Sequence, residues 1–475
     1  MDILQKVLSL CKRRGLVIQS AEIYGGAKSL YDFGHLGFLI KENIKEFWKQ
    51  SLLFSDESIF FIDGSILLPF PVFKASGHID CFTDPLVDCK ECKIRFRPDK
   101  VEKELGELKC PSCGSKNISD PRLFNLMFRT TLGPVDQLEE ILTFVLQNSS
   151  KSKEEILKDL QEQILKSSVF LRPETAQNIF CQFMNLTKSY PRKLPFGIAQ
   201  IGRAFRNEIT TEKFLFRVAE FEQMELEFFV KSQDENFYFD YWLDKRVTWW
   251  KKIINSDSNL RIREYSQNEL AHYAKRCCDI EFKFPWGFDE VEGVASRSDY
   301  DLLAHARASG KDFFVLESSE QRGGQVKIVP WVIEPSCGLT RAFLAVILDA
   351  YSEEPGVDAE GQEKVRTVMK LKPFLAPYKA AVFPLVKNEE LIKLSKLIHD
   401  ELKRRRLYSC VEENQSIGKR YAKHDEIGTP FCITVDFNSL KDESVTVRDR
   451  DSTEQVRCHW KEAVDNVVSL CQMPA

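Results

Sequence analysis

Two separated stretches of the chain hold arginines of the kind that bind phosphate groups. Arg206, Glu208, Arg217 and Phe221 lie within AFRNEITTEKFLFRVAEFEQMELEFF, and Arg341 follows much later in GLTR. Guanidinium groups bind phosphate oxygens bidentately and neutralise charge that develops at phosphorus, and a Phe ring can stack on a base. The chain has no GxxxxGK[ST] stretch, so a P-loop is not the means of binding. The pattern indicates a nucleoside triphosphate site on a sheet, with structural Arg–Glu pairs across strands as the alternative.

The second half of the same stretch alternates apolar and acidic residues, as one strand of a β-hairpin does. Its acids are Glu220, Glu222, Glu225 and Glu227. A half-solvated sheet explains such a pattern, and so does a sheet face that binds a charged ligand. Because side chains alternate across a strand, Glu225 shares a face with Phe221, whereas Glu222 lies on the other face. If Phe221 stacks on a base, Glu225 is the better candidate for substrate contact.

Two predicted helix starts could add charged groups to this site. In VIEPSCGLTRAF an apolar strand ends at residues 334–336, and Gly338 opens a helix with Arg341 in its first turn. A helix N-terminus attracts anions, and an arginine there strengthens the attraction; a buried helix whose arginine reaches water is the alternative. In RPETAQ, the proline before Glu174 favours a helix start. That acid could serve a site or could be favoured there by the helix dipole alone.

Four of the fourteen cysteines form two close pairs. Cys89 and Cys92 are followed, after 17 residues, by Cys110 and Cys113. Each CxxC turn aims two thiolates at one point, and two such turns complete a tetrahedron that suits Zn²⁺. With four thiolate ligands no position stays open for water, so the predicted zinc site is structural. Incidental cysteines are the alternative, and a catalytic redox pair has less support because no strand-then-helix setting surrounds it.

Length and composition narrow the class of protein. The 475 residues predict two or three domains, and no run of about 18 apolar residues predicts a membrane span. The scattered cysteines suit a reducing compartment, so we expect a cytoplasmic protein. The net charge of −4 means that nucleic acid, if bound, is bound by local patches. Residues 378–475 hold 16 basic and 16 acidic residues, and Arg404, Arg405 and Arg406 are one candidate patch, with a solvated helix end as the alternative.

The hydrophobic patterns place these residues on predicted elements. We expect helix, turn and helix over residues 3–54, short strands over 58–80, two helices over 134–167, mostly helix over 235–272, and strands over 280–345 that end in an apolar helix. The polar stretch SEEPGVDAEGQEK is typical of a linker. The chain beyond it alternates strand and helix, which predicts a small α/β domain with a mixed sheet.

Taken together, the motifs resemble those of the class II aminoacyl-tRNA synthetases. AFRNEI…FRVAEFEQME is similar to their motif 2, GLTR to motif 3, and EIYGGAKSLYDFGHLGFLIKENIKEFW to motif 1. Within that class the chain resembles the homodimeric glycyl-tRNA synthetases of the bacterial, zinc-containing type. This likeness rests on LYDFGHLG, KASGHIDCFTDPLVDC, FNLMF, LRPETAQNIF, LPFGIAQIGRAFRNEI and VIEPSCGLTR, and on a C-terminal stretch similar to that family's anticodon-binding domain.

The resemblance implies a fold of the α/β (α+β) class. It implies a catalytic domain over residues 1–350, with a mixed, mainly antiparallel sheet flanked by helices. A small zinc-knuckle insertion (about 84–120) and a helical insertion (about 134–167) would interrupt it. A linker over 351–376 and an α/β anticodon-binding domain over 377–475 would follow. Two features depart from the family pattern: His35 stands where many members have Pro, and the helical insertion is longer than expected.

The resemblance also implies an ATP-dependent ligase, with ATP and Mg²⁺, glycine and tRNA(Gly) as ligands. Arg206 and Arg341 are the implied catalytic residues. The implied ATP-binding residues are Arg206, Asn207, Glu208, Phe216, Arg217, Val218, Phe221, Glu290, Val291, Gly338 and Arg341. The implied glycine-binding residues are Arg97, Glu174, Phe221, Glu222, Gln223, Met224, Glu225, Glu334, Ser336 and Gly338.

Other functions remain open from the sequence. A catalytically inactive relative that binds nucleic acid or assists a polymerase is one alternative, although such a relative would be expected to lose the arginines of motifs 2 and 3. A class II synthetase for serine, threonine or proline is another. A homodimer without membrane association is implied by motif 1 and by the resemblance.

Overall fold

The computed structural model describes residues 2–27, 29–54, 58–98, 101, 106–133, 137–208, 213–271, 273–319, 324–357 and 363–474. Its helices in this part of the chain are α1 (Ile3–Arg14), α2 (His35–Leu53), α3 (Phe70–Ala75), α4 (His78–Cys81), α5 (Gln137–Gln147), α6 (Lys153–Ser167), α7 (Ala176–Ser189), α8 (Glu235–Ile253), α9 (Tyr300–Ser309), α10 (Leu339–Ala350), α11 (Glu389–Arg404), α12 (Ile417–Ile427), α13 (Ser439–Asp442) and α14 (Trp460–Leu470).

The described strands run from three short strands near the N-terminus to the five strands of the C-terminal sheet. They are β1 (Val17–Gln19), β2 (Tyr31–Phe33), β3 (Ile59–Ile62), β4 (Leu67–Pro69), β5 (Thr83–Asp88), β6 (Arg95–Phe96), β7 (Arg122–Asn125), β8 (Arg129–Thr130), β9 (Val169–Leu171), β10 (Phe196–Phe205), β11 (Glu220–Val230), β12 (Leu260–Glu264), β13 (Arg276–Phe284), β14 (Gly287–Ser298), β15 (Val315–Ser319), β16 (Gly324–Ile328), β17 (Trp331–Gly338), β18 (Tyr351–Val357), β19 (Glu363–Met369), β20 (Ala380–Pro384), β21 (Ser409–Val411), β22 (Phe431–Val435), β23 (Ser444–Asp449) and β24 (Gln455–His459).

A seven-stranded sheet forms the centre of the larger part of the chain. Its strand order is β12-β13-β14-β17-β11-β10-β3, and every pairing is antiparallel except that of β10 with β3. The hairpin β10–β11 and the hairpin β13–β14 flank β17, which comes last of these strands along the chain. The predicted hairpin and the mixed, mainly antiparallel sheet are thereby confirmed.

Helices cover both faces of this sheet because its strands are apolar on both sides. On one face α10 and α2 pack against β11 through a core that includes Trp48, Met224 and Phe343. On the other face α7 and α9 pack with Phe229 of β11. The helix α10 is buried around nearly its whole circumference, as its apolar run AFLAVIL predicts. The second face is left open toward one end of β11, and the candidate site lies there.

The smaller sheets carry the insertions. Strands β6, β5 and β7 form one three-stranded sheet in the region of the CxxC pairs, and β4, β9 and β8 form another. The predicted pair of helices over 134–167 is confirmed as α5 and α6. The second of them starts with a capping box, in which the Ser152 hydroxyl accepts from the Glu155 amide at 3.3 Å and the Glu155 carboxylate accepts from the Ser152 amide at 2.9 Å.

The C-terminal part folds as the alternating pattern predicts. Its sheet has the order β21-β20-β22-β23-β24, parallel across the first three strands and antiparallel across the rest. Helices α11 and α14 pack together against it through Leu391, Ile398 and Val464. The fold is therefore a mixed α/β architecture with a second α/β unit.

Several local expectations were wrong. Of the strands expected over 58–80, β3 and β4 form, but the second half of the range folds as α3 and α4, where Phe73 is fully buried against neighbouring aromatic rings. Residues 260–264, expected to be helical, form the edge strand β12, whose Leu-Arg-Ile-Arg-Glu pattern has the period of a strand. The helix α9 interrupts the strands expected over 280–345. The linker-like stretch includes most of β18 and the first residues of β19, and these two strands pair in the antiparallel direction.

Candidate active site

A cavity of about 240 Å³ lies over β11, β14 and β17, at the open end of the sheet. These strands bring together segments far apart in sequence, because β17 pairs with both β11 and β14. The lining residues are Glu174, Arg206, Glu208, Leu215, Phe216, Arg217, Val218, Phe221, Gln223, Glu225, Tyr273, Cys277, Asp279, Glu290, Val291, Gly293, Ala295, Arg297, Glu334, Ser336, Gly338, Thr340 and Arg341.

Glu225 stands at the centre of a dense set of hydrogen bonds at one end of the cavity. Its Oε1 accepts from the Ser336 hydroxyl at 2.7 Å and from Gln223 Nε2 at 3.0 Å. Its Oε2 accepts from the Thr175 amide at 2.8 Å and from the Thr175 hydroxyl. Burial, followed by the charge of Glu174, raises the pKa of Glu225 above its ordinary value. The carboxylate is therefore rigidly held in a place where a nearby positive charge would stabilise its ionised form.

Two further acids share this end of the cavity with a buried arginine. Arg297 donates to Glu334 Oε1 at 2.8 Å and pairs with Asp301 through two hydrogen bonds, at 2.7 and 3.0 Å. Its guanidinium carbon lies 4.1 Å from the centre of the Tyr273 ring. Glu174 Oε1 lies 3.8 Å from Arg297 and accepts from Gln177 at 2.9 Å. Among the described residues that line this end of the cavity, acidic groups thus outnumber the one arginine, which favours a small cationic ligand.

The pKa of Glu174 differs in direction from those of its neighbours. Burial alone raises it, but the charges of His78 and Arg297 outweigh burial and hold the pKa of this carboxyl well below its usual range. Glu174 is therefore ionised at neutral pH. It is a negative group about 9% exposed to solvent and aimed at the cavity.

The opposite end of the cavity carries three arginines. Arg341 donates from Nη1 to a Glu290 carboxylate oxygen at 2.9 Å, and its guanidinium carbon lies 4.3 Å from the centre of the Phe216 ring. Arg206 donates to the Pro173 carbonyl at 3.1 Å, and its guanidinium carbon lies 5.3 Å from the centre of the Phe221 ring. Arg217 Nε is 3.8 Å from Glu208. Arg341 is ion-paired, but Arg217 has only a long contact with Glu208 and Arg206 donates to a neutral carbonyl, so this end retains positive charge that can bind an anion.

Most of the residues implied by the resemblance meet at this cavity. The predicted residues that line it are Glu174, Arg206, Glu208, Phe216, Arg217, Val218, Phe221, Gln223, Glu225, Glu290, Val291, Glu334, Ser336, Gly338 and Arg341. Their grouping into an acidic end and a basic end agrees with the predicted division between amino acid and nucleotide. The individual binding roles stay predictions.

Four predicted site residues do not line the cavity. Glu222 lies on the opposite face of β11 and pairs with Lys41 and, at 3.2 Å, with Lys45. Met224 shares that face and is fully buried in the core. Alternation along the strand turns both side chains away from the cavity, so the structure adds no support to their prediction as glycine-binding residues.

The other two lie nearby in the surrounding chain. Arg97 pairs with Asp84 at 2.5 Å in the region of the CxxC pairs. Its charge nevertheless acts on Glu208 and on Arg217. Asn207 donates its backbone amide to the Leu126 carbonyl at 2.7 Å, which fixes the chain between the two motif 2 arginines. Neither side chain is among those that line the cavity.

Sequence reasoning missed Arg297, Tyr273 and Asp279. None of the three belongs to a recognisable motif, so no motif marks it. Arg297 precedes Asp301 by four residues, and the two are ion-paired from the end of β14 to the start of α9. A buried Arg–Asp pair at that spacing is the one signal that could have been noticed. Asp279 accepts from the Tyr265 hydroxyl at 2.7 Å, and burial with the nearby Glu290 charge raises its pKa to about 7.

The four paired cysteines converge as the CxxC spacing predicts. Cys89 Sγ and Cys113 Sγ are 3.6 Å apart, and Cys92 Sγ and Cys110 Sγ are 3.5 Å apart. All four sulfurs lie within 4.8 Å of one another. Tetrahedral bonds of about 2.3 Å from zinc to sulfur require sulfurs about 3.8 Å apart, so the donor set fits Zn²⁺ closely.

Comparison with known protein families assigns both parts of the chain. Residues 160–351 match the tRNA synthetase class II core domain (G, H, P, S and T), and residues 379–470 match an anticodon binding domain. The sheet, the arginine-lined cavity and these matches define a class II tRNA synthetase.

Close relatives narrow the class to a single family. The chain is 44% identical to the glycine–tRNA ligase of Treponema denticola over 98% of this chain and 96% of that protein. It is 43% identical to the enzyme of that name from Borreliella burgdorferi, over 96% and 94%, and 40% identical to that from Thermobifida fusca, over 96% and 95%. The chain belongs to the glycine–tRNA ligase family.

Among the described residues, no helix combines the length and apolar character needed to span a membrane.

Proposed function

We propose that this protein is a glycine–tRNA ligase, which joins glycine to ATP as glycyl-adenylate and then transfers glycine to the 3′ end of tRNA(Gly). In the first step a glycine carboxylate oxygen attacks the α-phosphorus of ATP and pyrophosphate leaves. In the second, a terminal ribose hydroxyl of the tRNA attacks the glycyl carbonyl, loses its proton, and AMP leaves. The observation that carries the proposal is one cavity with an acidic end and an arginine end.

The acidic end suits an amino acid with no side chain. Glu225 and Glu174 would bind the glycine ammonium, with Ser336 and Gln223 holding Glu225 in place. Glycine offers no side chain to recognise, so selectivity must come from leaving no room for a methyl group. The four donors on Glu225 support such exclusion, because a rigidly held carboxylate cannot retreat from a larger ligand.

The arginine end suits the triphosphate. Arg206 would bind the α-phosphate, and Arg217 and Arg341 the outer phosphates, while Phe221 would stack on adenine beside Glu208. Reactions of this kind need in-line positioning and charge neutralisation more than acid–base help. Glu290 and Asp279 present carboxylate oxygens, the donor type that Mg²⁺ takes, and would hold the ion that accompanies ATP.

The C-terminal unit would bind the anticodon of the tRNA. Its match to an anticodon binding domain supports this role. The predicted basic patch is partly neutralised, because Arg404 and Arg405 both pair with Glu401, and Arg405 also pairs with Asp465 at 2.9 Å. RNA binding there would use contacts to unstacked bases rather than a broad basic field.

The four cysteines would hold a structural Zn²⁺ ion that braces the insertion beside the site. Their sulfur spacing and the small core around Val87 and Phe96 support this role. Thiolates fill all four positions of such an ion, so it would supply stability and no catalytic water.

A cytoplasmic homodimer completes the proposal. The motif 1 segment presents Ile23, Tyr24 and Phe38 to solvent, with 88%, 87% and 49% of their surfaces exposed. Apolar side chains so exposed are typical of an interface between subunits. None of the fourteen cysteines, all of which lie in the described residues, is in a disulfide, which agrees with a reducing compartment.

Exchange of pyrophosphate into ATP, measured with glycine, serine, alanine, threonine and proline, tests the activity. We expect exchange with glycine alone. Exchange with serine, threonine or proline instead would indicate another class II specificity, and none with any amino acid would indicate an inactive relative. Arg341→Ala should reduce exchange by at least about 1,000-fold. Arg203→Ala is the control, because Arg203 is a 60% exposed side chain that pairs with Glu220.

A further inference from the structure

Three side chains of the C-terminal unit place metal-binding atoms around one point, away from the cysteine pairs. They are Cys410 in β21, Glu412 just after that strand, and His424 in α12. Cys410 Sγ is 3.9 Å from His424 Nε2, and Glu412 Oε1 is 3.4 Å from the same nitrogen. All three ligand atoms lie within 4.8 Å of one another.

The histidine ring is fixed so that one nitrogen faces this point. His424 is fully buried, and its Nδ1 lies 2.8 Å from the Thr429 hydroxyl. The ring also packs 5.2 Å from Phe383. Metal-binding histidines usually make a hydrogen bond with the nitrogen that does not bind the metal, which sets the tautomer and the ring orientation. Thr429 provides that partner here, and among the described residues Nε2 lies near Cys410 and Glu412.

We propose that Cys410, Glu412 and His424 form a second site for a divalent transition cation, with Zn²⁺ the best match. Bonds of about 2.0–2.3 Å in a tetrahedron require ligand atoms about 3.3–3.6 Å apart, and a sulfur, a nitrogen and a carboxylate oxygen are all zinc ligands. The separation of Glu412 from His424 lies in this range, and that of Cys410 from His424 exceeds it by a few tenths of an ångström. Binding releases the Cys410 thiol proton to solvent, and a water molecule takes the fourth position.

Lys423 competes with the cation for this site. Its ammonium pairs with the same Glu412 oxygen, and its side chain is 38% exposed. A lysine at the surface can swing into water, so the pair does not block metal binding but weakens it. An ordinary ion-paired cluster of Lys423, Glu412 and His424 is the competing explanation. The two explanations predict different effects of removing Lys423 on the affinity for Zn²⁺.

The proposed site lies beside the contact between the two units of the chain. Tyr378 packs against His424 on one side, with ring centres 6.4 Å apart, and against His35 at the start of α2, at 6.1 Å. Tyr408 stacks on Tyr378 at 5.7 Å. A cation that joins β21 to α12 would fix the surface against which the rings of Tyr378 and Tyr408 pack. The expected consequence is a more heat-stable C-terminal unit when the ion is bound.

Metal stoichiometry of the full-length chain tests the site independently of ligase activity. We expect the wild-type protein to bind one more equivalent of Zn²⁺ than Cys410→Ser or Glu412→Gln. Glu413→Gln and Cys458→Ser are matched controls and should keep the wild-type number. Titration with Co²⁺ should likewise show one more thiolate-bound equivalent in the wild type than in Cys410→Ser.

Lys423→Met keeps the test decisive if Cys410→Ser does not fold. Removing the competing ammonium should tighten the weaker Zn²⁺ equivalent about tenfold or more, because a unit charge close to a ligand oxygen opposes the cation. A simple ion-paired cluster predicts no gain. Equal stoichiometry in wild type and Glu412→Gln, together with unchanged Zn²⁺ affinity in Lys423→Met, would overturn the proposal.

Discussion

The Glu225 carboxylate and the Ser336 hydroxyl are hydrogen-bonded at 2.7 Å across two paired strands, β11 and β17. Thr175 binds the other carboxylate oxygen of Glu225 from the start of α7. Three segments that are distant in sequence therefore converge on one side chain. The acidic end of the cavity depends on all three, and its geometry can be tested one residue at a time.

We predict that Glu225→Gln lowers kcat/KM for glycine in pyrophosphate exchange by about 100-fold, because a charge-assisted contact worth about 3 kcal/mol would be lost. Glu222→Gln is the matched control on the same strand. Its side chain faces Lys41 and Lys45, so its KM for glycine should stay near the wild-type value. Equal losses in the two variants would contradict the assignment of faces.

The backbone at Gly202 lies close to the side chain of Arg172, which supports the loop that carries Glu174. A Cβ at this position would lie 2.1 Å from Arg172 Nη2. Arg172, 1% exposed, donates to the carbonyls of Gly64 and Arg203, both at 2.8 Å. We predict that Gly202→Ala destabilises the protein by about 3 kcal/mol, through overpacking and loss of these bonds, and also weakens glycine activation.

Gly418→Ala is the control for that change. It lies in α12, and a Cβ there would meet nothing within 4 Å. Alanine is the better helix former, so the thermal midpoint should be unchanged or slightly higher. Thermal unfolding followed by circular dichroism, with exchange assays at a permissive temperature, distinguishes the two variants. A Gly202→Ala protein as stable as wild type would show that Arg172 can move without cost.

Asp279 should make stability depend on pH. Burial, then the charge of Glu290, raises its pKa from 3.8 to about 7. Between those two values the folded protein binds more protons at this site than the unfolded chain, so its contribution to the free energy of unfolding falls as pH rises. Relative to wild type, Asp279→Asn should therefore gain stability from pH 4 to 7, by at most about 1.4 kcal/mol per pH unit, and level off above.

Tyr265→Phe provides a second measurement of the same group. The Tyr265 hydroxyl donates to Asp279, and this bond lowers the Asp279 pKa. Removal of this hydrogen bond should raise the Asp279 pKa further, so the pH range over which Asp279 changes the stability should extend to higher pH. Urea unfolding at pH 5, 6, 7 and 8 measures both effects. A constant difference between Asp279→Asn and wild type over this range would show that Asp279 has an ordinary pKa.

The cysteine pairs predict a chelator-sensitive insertion. Cys113→Ser should lower the zinc content by about one equivalent and expose residues around 84–120 to proteases, because this small sheet has little core of its own. Cys81→Ser is the control, since Cys81 is exposed and outside the cluster. Unchanged zinc content in Cys113→Ser, measured by atomic emission, would count against the site.

Local signals predicted much of the architecture. The β10–β11 hairpin follows from alternation, α5 and α6 from the hydrophobic pattern over 134–167, and the sulfur cluster from two CxxC turns. Arg206, Arg217 and Arg341 were found because motif 2 and motif 3 keep them within short recognisable stretches. In each case the relevant physics acts over a few residues.

The rest of the site depends on long-range pairing, which local patterns do not encode. Arg297 and Asp279 reach the cavity only because β14 pairs with β17 and with β13. Glu222 and Met224 were assigned to glycine although alternation had already placed Glu222 on the other face. The resemblance identified the stretch of chain that contributes to the site. The pleat of the strand determines which side chains of that stretch face the cavity.

The central place of β17 has a consequence for the order in which a newly made chain can become active. The β10–β11 and β13–β14 hairpins are local and can form as they leave the ribosome, whereas β17 is synthesised after both and must insert between them. Until it does, Ser336 and Glu334 are missing from the cavity, and Glu225 lacks one of its donors. A nascent chain that ends before β17, at about residue 330, therefore has an incomplete cavity, and the wall that carries Glu334 and Ser336 is added in a single late event.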